Sequence, residues 1–237
     1  MTSTLPRLYL LDVEGTVAPV SLVYEQLFPY ARQHFATFLL ENIADAVVKA
    51  DLALLAEENR ADPEAPQVAH PRDSTQTLAY LNWLMDRDRK STALKSLQGR
   101  IWKKGFESGQ LKGTLFPDVP PALDRWAANG QVAIYSSGSI DAQRLLFRYS
   151  IFGDLTGRIA AYFDTRTGAK TATPSYSAIA AATNLQPHQV LFFSDVVREL
   201  DPAREAGIDT RLVVREGNAP VADPHGHITI HSFDDIP

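Results

Sequence analysis

The spacing of apolar residues changes along this chain, and the changes divide it. Residues 7–13 (RLYLLDV) are a short apolar run ending in acids and Gly15, which predicts a buried strand. A long helical stretch follows, in which Leu27, Phe28, Phe35, Phe38 and Leu39 recur at helical spacing and Pro29 marks a helix start or kink. A second apolar-periodic segment carries Ile43, Val47, Val48, Leu52 and Leu55. Residues 60–72 hold three prolines and read as an exposed loop. Asp73 with Gln76 resembles a capping box, opening a helix over Leu78, Leu81, Trp83 and Leu84. Another helix is expected from Ser91 to about Ser108.

Beyond residue 115 the pattern alternates. Asp118 is expected to cap a helix with Pro120 in its first turn, closed by Gly130. Strands are predicted at 131–136, 158–164, 190–195 and 210–214, with helices at 139–149, 175–183 and 198–206, the last ending at Gly207. Alternation of this kind predicts an α/β fold, a parallel sheet covered by helices. The first strand and the next clear one lie more than 100 residues apart, far more than a crossover needs. Residues 17–115 are therefore expected to be an inserted helical domain, and 1–16 with 116–237 one α/β core.

Composition narrows the function. The 237 residues are 45% hydrophobic and 22% charged, as in an ordinary globular enzyme. The formal net charge of −5 argues against a broad nucleic-acid or anionic-membrane surface, though a local site for a small anion remains open. With no cysteine there is no disulfide, zinc–thiolate site or thiol nucleophile. The N-terminus does not read as a signal peptide, and no segment approaches the roughly 20 apolar residues of a membrane span. A cytoplasmic protein is the expectation, and nothing in the sequence demands more than a monomer.

Sheets of this type bind ligands beyond the carboxyl ends of their strands. The predicted ends carry Asp12, Glu14, Gly15 and Thr16; then Ser136, Ser137, Gly138 and Ser139; then Gly168 and Lys170; then Ser194 and Asp195, with Glu199 close behind. That set suits phosphoryl transfer. A carboxylate can attack phosphorus, and a magnesium ion (Mg2+) held by one or two carboxylates can offset the repulsion between the two anions. Asp12 and Asp195 are the natural metal pair, with Glu14 joining directly or through its backbone carbonyl. Lys170 adds positive charge, Ser136 or Ser137 can donate to phosphate oxygens, and Glu14 can act as acid and base. Gly15 permits the sharp turn that bares Asp12. Asp195 and Glu199 also have bland readings, as a helix cap and a favourable first-turn acid. His225, His227 and His231 lie in a polar C-terminal stretch with Pro and Gly and read as part of it rather than as metal ligands. Trp83, Trp102, Phe28 and Phe35 read as core.

These residues resemble the haloacid dehalogenase superfamily of phosphatases, whose first motif is normally Asp-x-Asp-x-Thr. Here it is Asp12-Val13-Glu14-Gly15-Thr16, and that departure resembles one branch, the enolase-phosphatases (acireductone synthases) of methionine salvage. The likeness continues through LFPYAR (27–32), DRDRKSTALKSLQGRIW (86–102), YSSGSIDAQRLLF (135–147), YFDTRTGAK (162–170), SYSAIA (175–180), LFFSDVVREL (191–200) and HSFDDI (231–236). Val17 departs from it, where many relatives have a second Thr. The resemblance implies a Rossmann-like core with a helical cap. It implies Asp12, Glu14 and Asp195 as magnesium ligands, Asp12 as nucleophile, Glu14 as acid/base, and Ser136, Ser137 and Lys170 on the substrate. It further implies conversion of 2,3-diketo-5-methylthiopentyl-1-phosphate to acireductone by enolisation and then dephosphorylation. A plain phosphatase of another small ester is the alternative. The cap would close as a lid with an apolar pocket for the methylthio end, for which Phe28, Tyr30 and Trp102 are candidates.

Overall fold

The computed structural model describes residues 6–68, 74–87 and 89–236. The chain forms two compact units, one of Met1–Leu22 with Lys112–Pro237 and one of Val23–Leu111.

The first unit is built on strands β1 (Leu8–Leu11), β2 (Gln131–Tyr135), β3 (Ala161–Phe163), β4 (Val190–Ser194), β5 (Asp209–Val213) and β6 (Ile228–Ile230). All pair in parallel, in the order β3-β2-β1-β4-β5-β6. Helices α5 (Val119–Asn129), α6 (Ile140–Arg148), α7 (Thr173–Ala182) and α8 (Val197–Glu205) provide the crossovers. Every residue of β1 is buried, because helices and loops cover both faces of the sheet and alternation is lost. Leu8 and Leu10 join Tyr135, Tyr176, Ile179, Phe192 and Leu200 in one core. On the opposite face Tyr9 stacks on Trp126, with centroids 4.7 Å apart, and Trp126 stacks in turn on Phe193 at 5.3 Å. Phe233, near the C-terminus, meets Trp126 edge-on.

The second unit holds a π-helical turn over most of Leu22–Leu27 and then four helices, numbered in chain order within the whole molecule: α1 (Phe28–Asn42), α2 (Ala46–Ala61), α3 (Ser74–Asp86) and α4 (Thr92–Glu107). Its core gathers Phe35, Phe38 and Leu39 from α1, Val48, Leu52 and Leu55 from α2, Tyr80, Leu81 and Leu84 from α3, and Leu94, Leu97 and Ile101 from α4. Those spacings line one face of each helix. Asp45 caps α2 by accepting from Val47 and Val48, and Ser91 caps α4 by accepting from Leu94 at 2.9 Å.

Several expectations need correcting. Ile43 and Val47 belong to the apolar pattern but are exposed, since the inward face of α2 is set by Val48, Leu52 and Leu55. The loop after α2 is not wholly exposed: Ala65 is buried, and the Asn59 side chain pins the segment through Pro66 and Val68. The cap expected at Asp73 lies outside the described residues. Asp118 precedes α5 but makes no capping bond. Its carboxylate instead receives Arg215 at 2.7 Å, the Phe233 N–H at 2.7 Å and the Ser232 hydroxyl at 3.0 Å, and a charged partner outweighs a backbone amide. Strand β6 was not expected, because Ile228 and Thr229 are exposed on an edge strand without an apolar run.

The side chains of His225 and His227 make structural contacts. His227 is buried, with Nδ1 2.7 Å from the Thr210 hydroxyl and Nε2 3.0 Å from Asp201, which also meets His225 at 2.8 Å. Burial, only partly opposed by Asp201, lowers the His227 pKa below its ordinary value of 6.5, and hydrogen bonds from His225 and then His227 lower that of Asp201. Both groups bind protons more readily in the unfolded chain, so stability is full above the unfolded pKa of His227 and falls below it on acidification. As pH falls from 7 to 5 the thermal midpoint of the parent should decline relative to that of His227→Asn, which cannot be protonated, so the gap between the two curves isolates this contribution. A second measurement checks the aromatic stack: Trp126→Ala should cost about 3–5 kcal/mol in denaturant unfolding.

Candidate active site

The parallel register brings the chemistry of the first unit to one level. Leu11 pairs with Ile134 of β2 and with Phe193 of β4. Asp12 therefore leaves the sheet beside the chain that continues into Ser136 and the chain that continues into Asp195. This is also where the strand order turns, with β2 on one side of β1 and β4 on the other, the usual place for a ligand crevice.

Asp12 is buried, and its Oδ1 is held by the Val13 N–H at 2.7 Å and by the Lys170 ammonium at 2.6 Å. Lys170 is itself buried and reaches Glu199 Oε2 at 2.5 Å. Burial alone would strip the proton from this lysine, but the charges of Asp12 and Glu199 prevail and its pKa is raised. The ammonium is thus a fixed positive charge between two carboxylates. The Ser194 hydroxyl lies 3.0 Å from Glu199 and 3.4 Å from Asp12, adding a second link between them. Tyr176 secures the arrangement from below, its hydroxyl 2.7 Å from the Lys170 carbonyl and 2.8 Å from that of Glu199.

The loop after β1 turns through Gly15, at φ +72°. A Cβ there would lie 2.6 Å from Cγ of Asp195, so the carboxylate of Asp195 occupies the space a side chain would need. The Val13 carbonyl accepts from the N–H groups of Thr16, Val17 and Ala18, and the Ala18 carbonyl accepts from Gly15. Glu14 sends its carboxylate to Ser136, whose hydroxyl donates to Oε2 at 3.2 Å. Burial and then the charge of Asp12 raise the Glu14 pKa. The same two causes push Asp195 up to about 7.

Ser136 is buried, and its Oγ also accepts from the Gly138 N–H at 3.0 Å; Ser137, beside it, is exposed. Ser139 caps α6 by accepting from Ala142 at 3.2 Å. The bland reading of Asp195 fails, since Val196 takes the N-cap position of α8 and no side chain caps it. Glu199 lies in the first turn of α8, as its bland reading had it, but its carboxylate faces Lys170 and Ser194. Three more supports escaped the sequence reading. Gln143 donates to the carbonyls of Gly138 and Phe163, both at 2.9 Å, and so fixes the serine loop against β3. Asp164 is buried and accepts from Arg166, and Ser175 Oγ donates to the Ala169 carbonyl at 2.8 Å in the lysine loop. Each lies among other polar residues, so nothing in the local sequence marked it out.

The donor set is suited to a hard divalent cation. Asp12, Glu14 and Asp195 offer only oxygen, which such ions prefer. Asp195 Oδ1 is buried with no hydrogen-bond partner among the described residues, an unpaired position that a cation would satisfy. No group of three His, Cys, Asp or Glu side chains stands together in ligating array among the described residues, and the Glu14 carboxylate is turned to Ser136. A cation here fits the two aspartates with Glu14 joining through its backbone.

Comparison with known proteins agrees with this chemistry. The haloacid dehalogenase-like hydrolase family matches residues 6–207. Enolase-phosphatase E1 of Synechococcus elongatus is 52% identical over 230 residues, covering 96% of each chain. That of Leptospira borgpetersenii is 46% identical, covering 97% of this chain and 98% of the relative. Among solved structures, the UTR4 protein of Saccharomyces cerevisiae is 36% identical with a TM-score of 0.79, covering 97% of this chain and 99% of that one. A dehalogenase at 17% identity and a TM-score of 0.58 shares the fold. The chain belongs to the haloacid dehalogenase-like hydrolase family. Within that class it groups with the enolase-phosphatases.

Gly15→Ala tests the geometry of the loop. The added methyl would collide with Asp195, and displacing it by about 1 Å should lower turnover roughly 100-fold. A kcat measurement beside an unfolding curve checks that the loss is local.

Proposed function

We propose that this chain is a bifunctional enolase-phosphatase of methionine salvage, converting 2,3-diketo-5-methylthiopentyl-1-phosphate to acireductone, with Asp12 as its nucleophile. The observation that carries the reading is the Asp12 carboxylate, buried at a strand end and held at 2.6 Å by a lysine that Glu199 also grips. Sequence identity of 41–52% over nearly the whole chain to enolase-phosphatases supports the choice of substrate.

Haloacid dehalogenase-like hydrolases generally depend on a divalent metal. Mg2+ is the ion proposed, with Asp12 and Asp195 as side-chain ligands and Glu14 joining through its carbonyl. When bound, it supplies positive charge to the phosphate oxygens and to the oxygen of a developing enolate. The remaining steps belong to the protein. Ser136, Ser137, Lys170 and the amides opening α6 hold the phosphate. Glu14 is the first choice of base for the proton beside the ketone, and its raised pKa makes it a better one. Taking that proton leaves Glu14 in the acid form that the next step requires. Asp12 then attacks phosphorus, the bond from phosphorus to the ester oxygen breaks, and Glu14 protonates the departing oxygen. Water gives a proton to Glu14 and attacks phosphorus, the bond from phosphorus to Asp12 breaks to release inorganic phosphate, and the proton on Glu14 passes to the enolate oxygen or to solvent, which restores both residues.

In this proposal residues 1–16 and 116–237 are the catalytic core and 17–115 a cap that supplies the methylthio pocket. Phe28 and Trp102 stack at 6.5 Å, and Tyr30 donates to Gln110 at 2.7 Å, all within the helical unit. The proposal takes a cytoplasmic monomer as the working form.

Incubation with the diketone phosphate should give the absorbance of the conjugated, still phosphorylated enol before free phosphate, and both should vanish when the metal is chelated. Asp12→Asn should release no phosphate, a loss on the order of 10,000-fold or more against the parent. Phosphate without any preceding enol signal would leave only a plain phosphatase.

A further inference from the structure

Two side chains from a distant segment grip the catalytic loop, and the reaction described above uses neither. They follow β5. Asn218 Nδ2 donates to the carbonyl of Gly15 at 2.9 Å, and Arg215 Nε donates to the carbonyl of Thr16 at 3.3 Å. Those are successive peptide planes just beyond Glu14. The Thr16 and Val17 N–H groups, on the opposite edges of the same two planes, both donate to the Val13 carbonyl, so the loop itself holds each plane at one edge and Asn218 and Arg215 hold the other. The Thr16 hydroxyl gives no anchorage, being buried without a partner among the described residues. Glycine adds its own backbone freedom at position 15.

Arg215 is in turn braced on several sides. It pairs with Asp118 at 2.7 Å, donates to the His231 carbonyl at 3.0 Å, and lies 4.6 Å from the ring centre of Phe116 and 4.7 Å from that of Phe233. Only 6% of its side chain is exposed. Asp118 also holds Ser232 and Phe233, so the C-terminal turn is tied to the same point. The grip on the loop is thus anchored in rigid structure.

We propose that Asn218 and Arg215 are positioning residues: by fixing the carbonyls of Gly15 and Thr16 they keep Gly15 seated against Asp195 and hold Asp12 and Glu14 in working geometry. The inference rests on the roles given above to Asp12, Glu14 and Asp195. A loosened loop would let Gly15 rotate and the Asp195 niche widen, which disturbs both metal affinity and the line of attack, while groups that hold the phosphate stay in place.

Asn218→Ala removes the donor, and Asn218→Asp keeps the shape but replaces the donor with an acceptor facing a carbonyl. Arg215→Lys keeps the charge beside Asp118 but loses the fork. In both Asn218 variants kcat is expected to fall about 10-fold or more with KM within about twofold, because misplacement acts on the transition state. Calorimetric titration with Mg2+ in the absence of substrate should show affinity weakened several-fold, and Asn218→Asp should be at least as impaired as Asn218→Ala. The unfolding midpoint of Asn218→Ala should stay within about 3 °C of the parent. Parental kcat and Mg2+ affinity in both Asn218 variants would overturn the proposal. So would a loss of activity accounted for entirely by unfolded protein, whichever variant showed it. A parent enzyme without magnesium-dependent phosphate release would instead defeat the functional reading, and the calorimetric comparison would still judge the loop.

Discussion

The buried ammonium of Lys170 is what allows the rest of this site to exist. Asp12, Glu14, Asp195 and Glu199 converge at one end of a parallel sheet, and four carboxylates in a desolvated crevice repel one another. Lys170 bonds directly to Asp12 and Glu199, and both partners raise its hold on the proton against the pull of burial. Removing one member of a buried group of this kind generally costs more than the pair contributes, since it strands the others. The same lysine explains why Tyr176 is placed beneath it with its hydroxyl between two backbone carbonyls: the loop that presents the charge has to be rigid.

A second constraint is steric. The turn after β1 brings backbone so near Asp195 that only glycine is accommodated, and the conformation there is left-handed. The loop that carries Asp12 and the side chain of Asp195 are therefore fitted to each other sterically as well as by charge. The turn is not self-sufficient. Its outward carbonyls are taken by side chains following β5, and the brace behind them, Arg215 with Asp118, reaches the C-terminal turn at Phe233. A segment about 200 residues along the chain from the loop thereby becomes part of the site's support.

The two units differ in how openly their sequences declare them. In the helical unit, local spacing and caps such as Ser91 carry most of the information, because a helix satisfies its own backbone and needs only one apolar face. In the α/β unit the strong strands β1, β2 and β4 are legible as apolar runs, while β6 is not: an edge strand with two exposed residues lacks the pattern that burial imposes. Asp118 shows the limit of local rules. By sequence it is a helix cap, yet an arginine 97 positions away claims its carboxylate.

The order of residues alone is enough to read the fold class, the order of the main elements, and Asp12, Glu14, Ser136, Ser137, Lys170 and Asp195 as candidates for chemistry beyond strand ends. Such residues announce themselves because a polar group directly after a buried strand breaks a strong local pattern. Only the tertiary structure decided which of them touch: that Lys170 bridges Asp12 and Glu199, that Glu14 turns to Ser136, and that Gln143, Arg215 and Asn218 are supports. Those pairings join residues up to 203 positions apart, and strand order and register, not local spacing, set the distances between them.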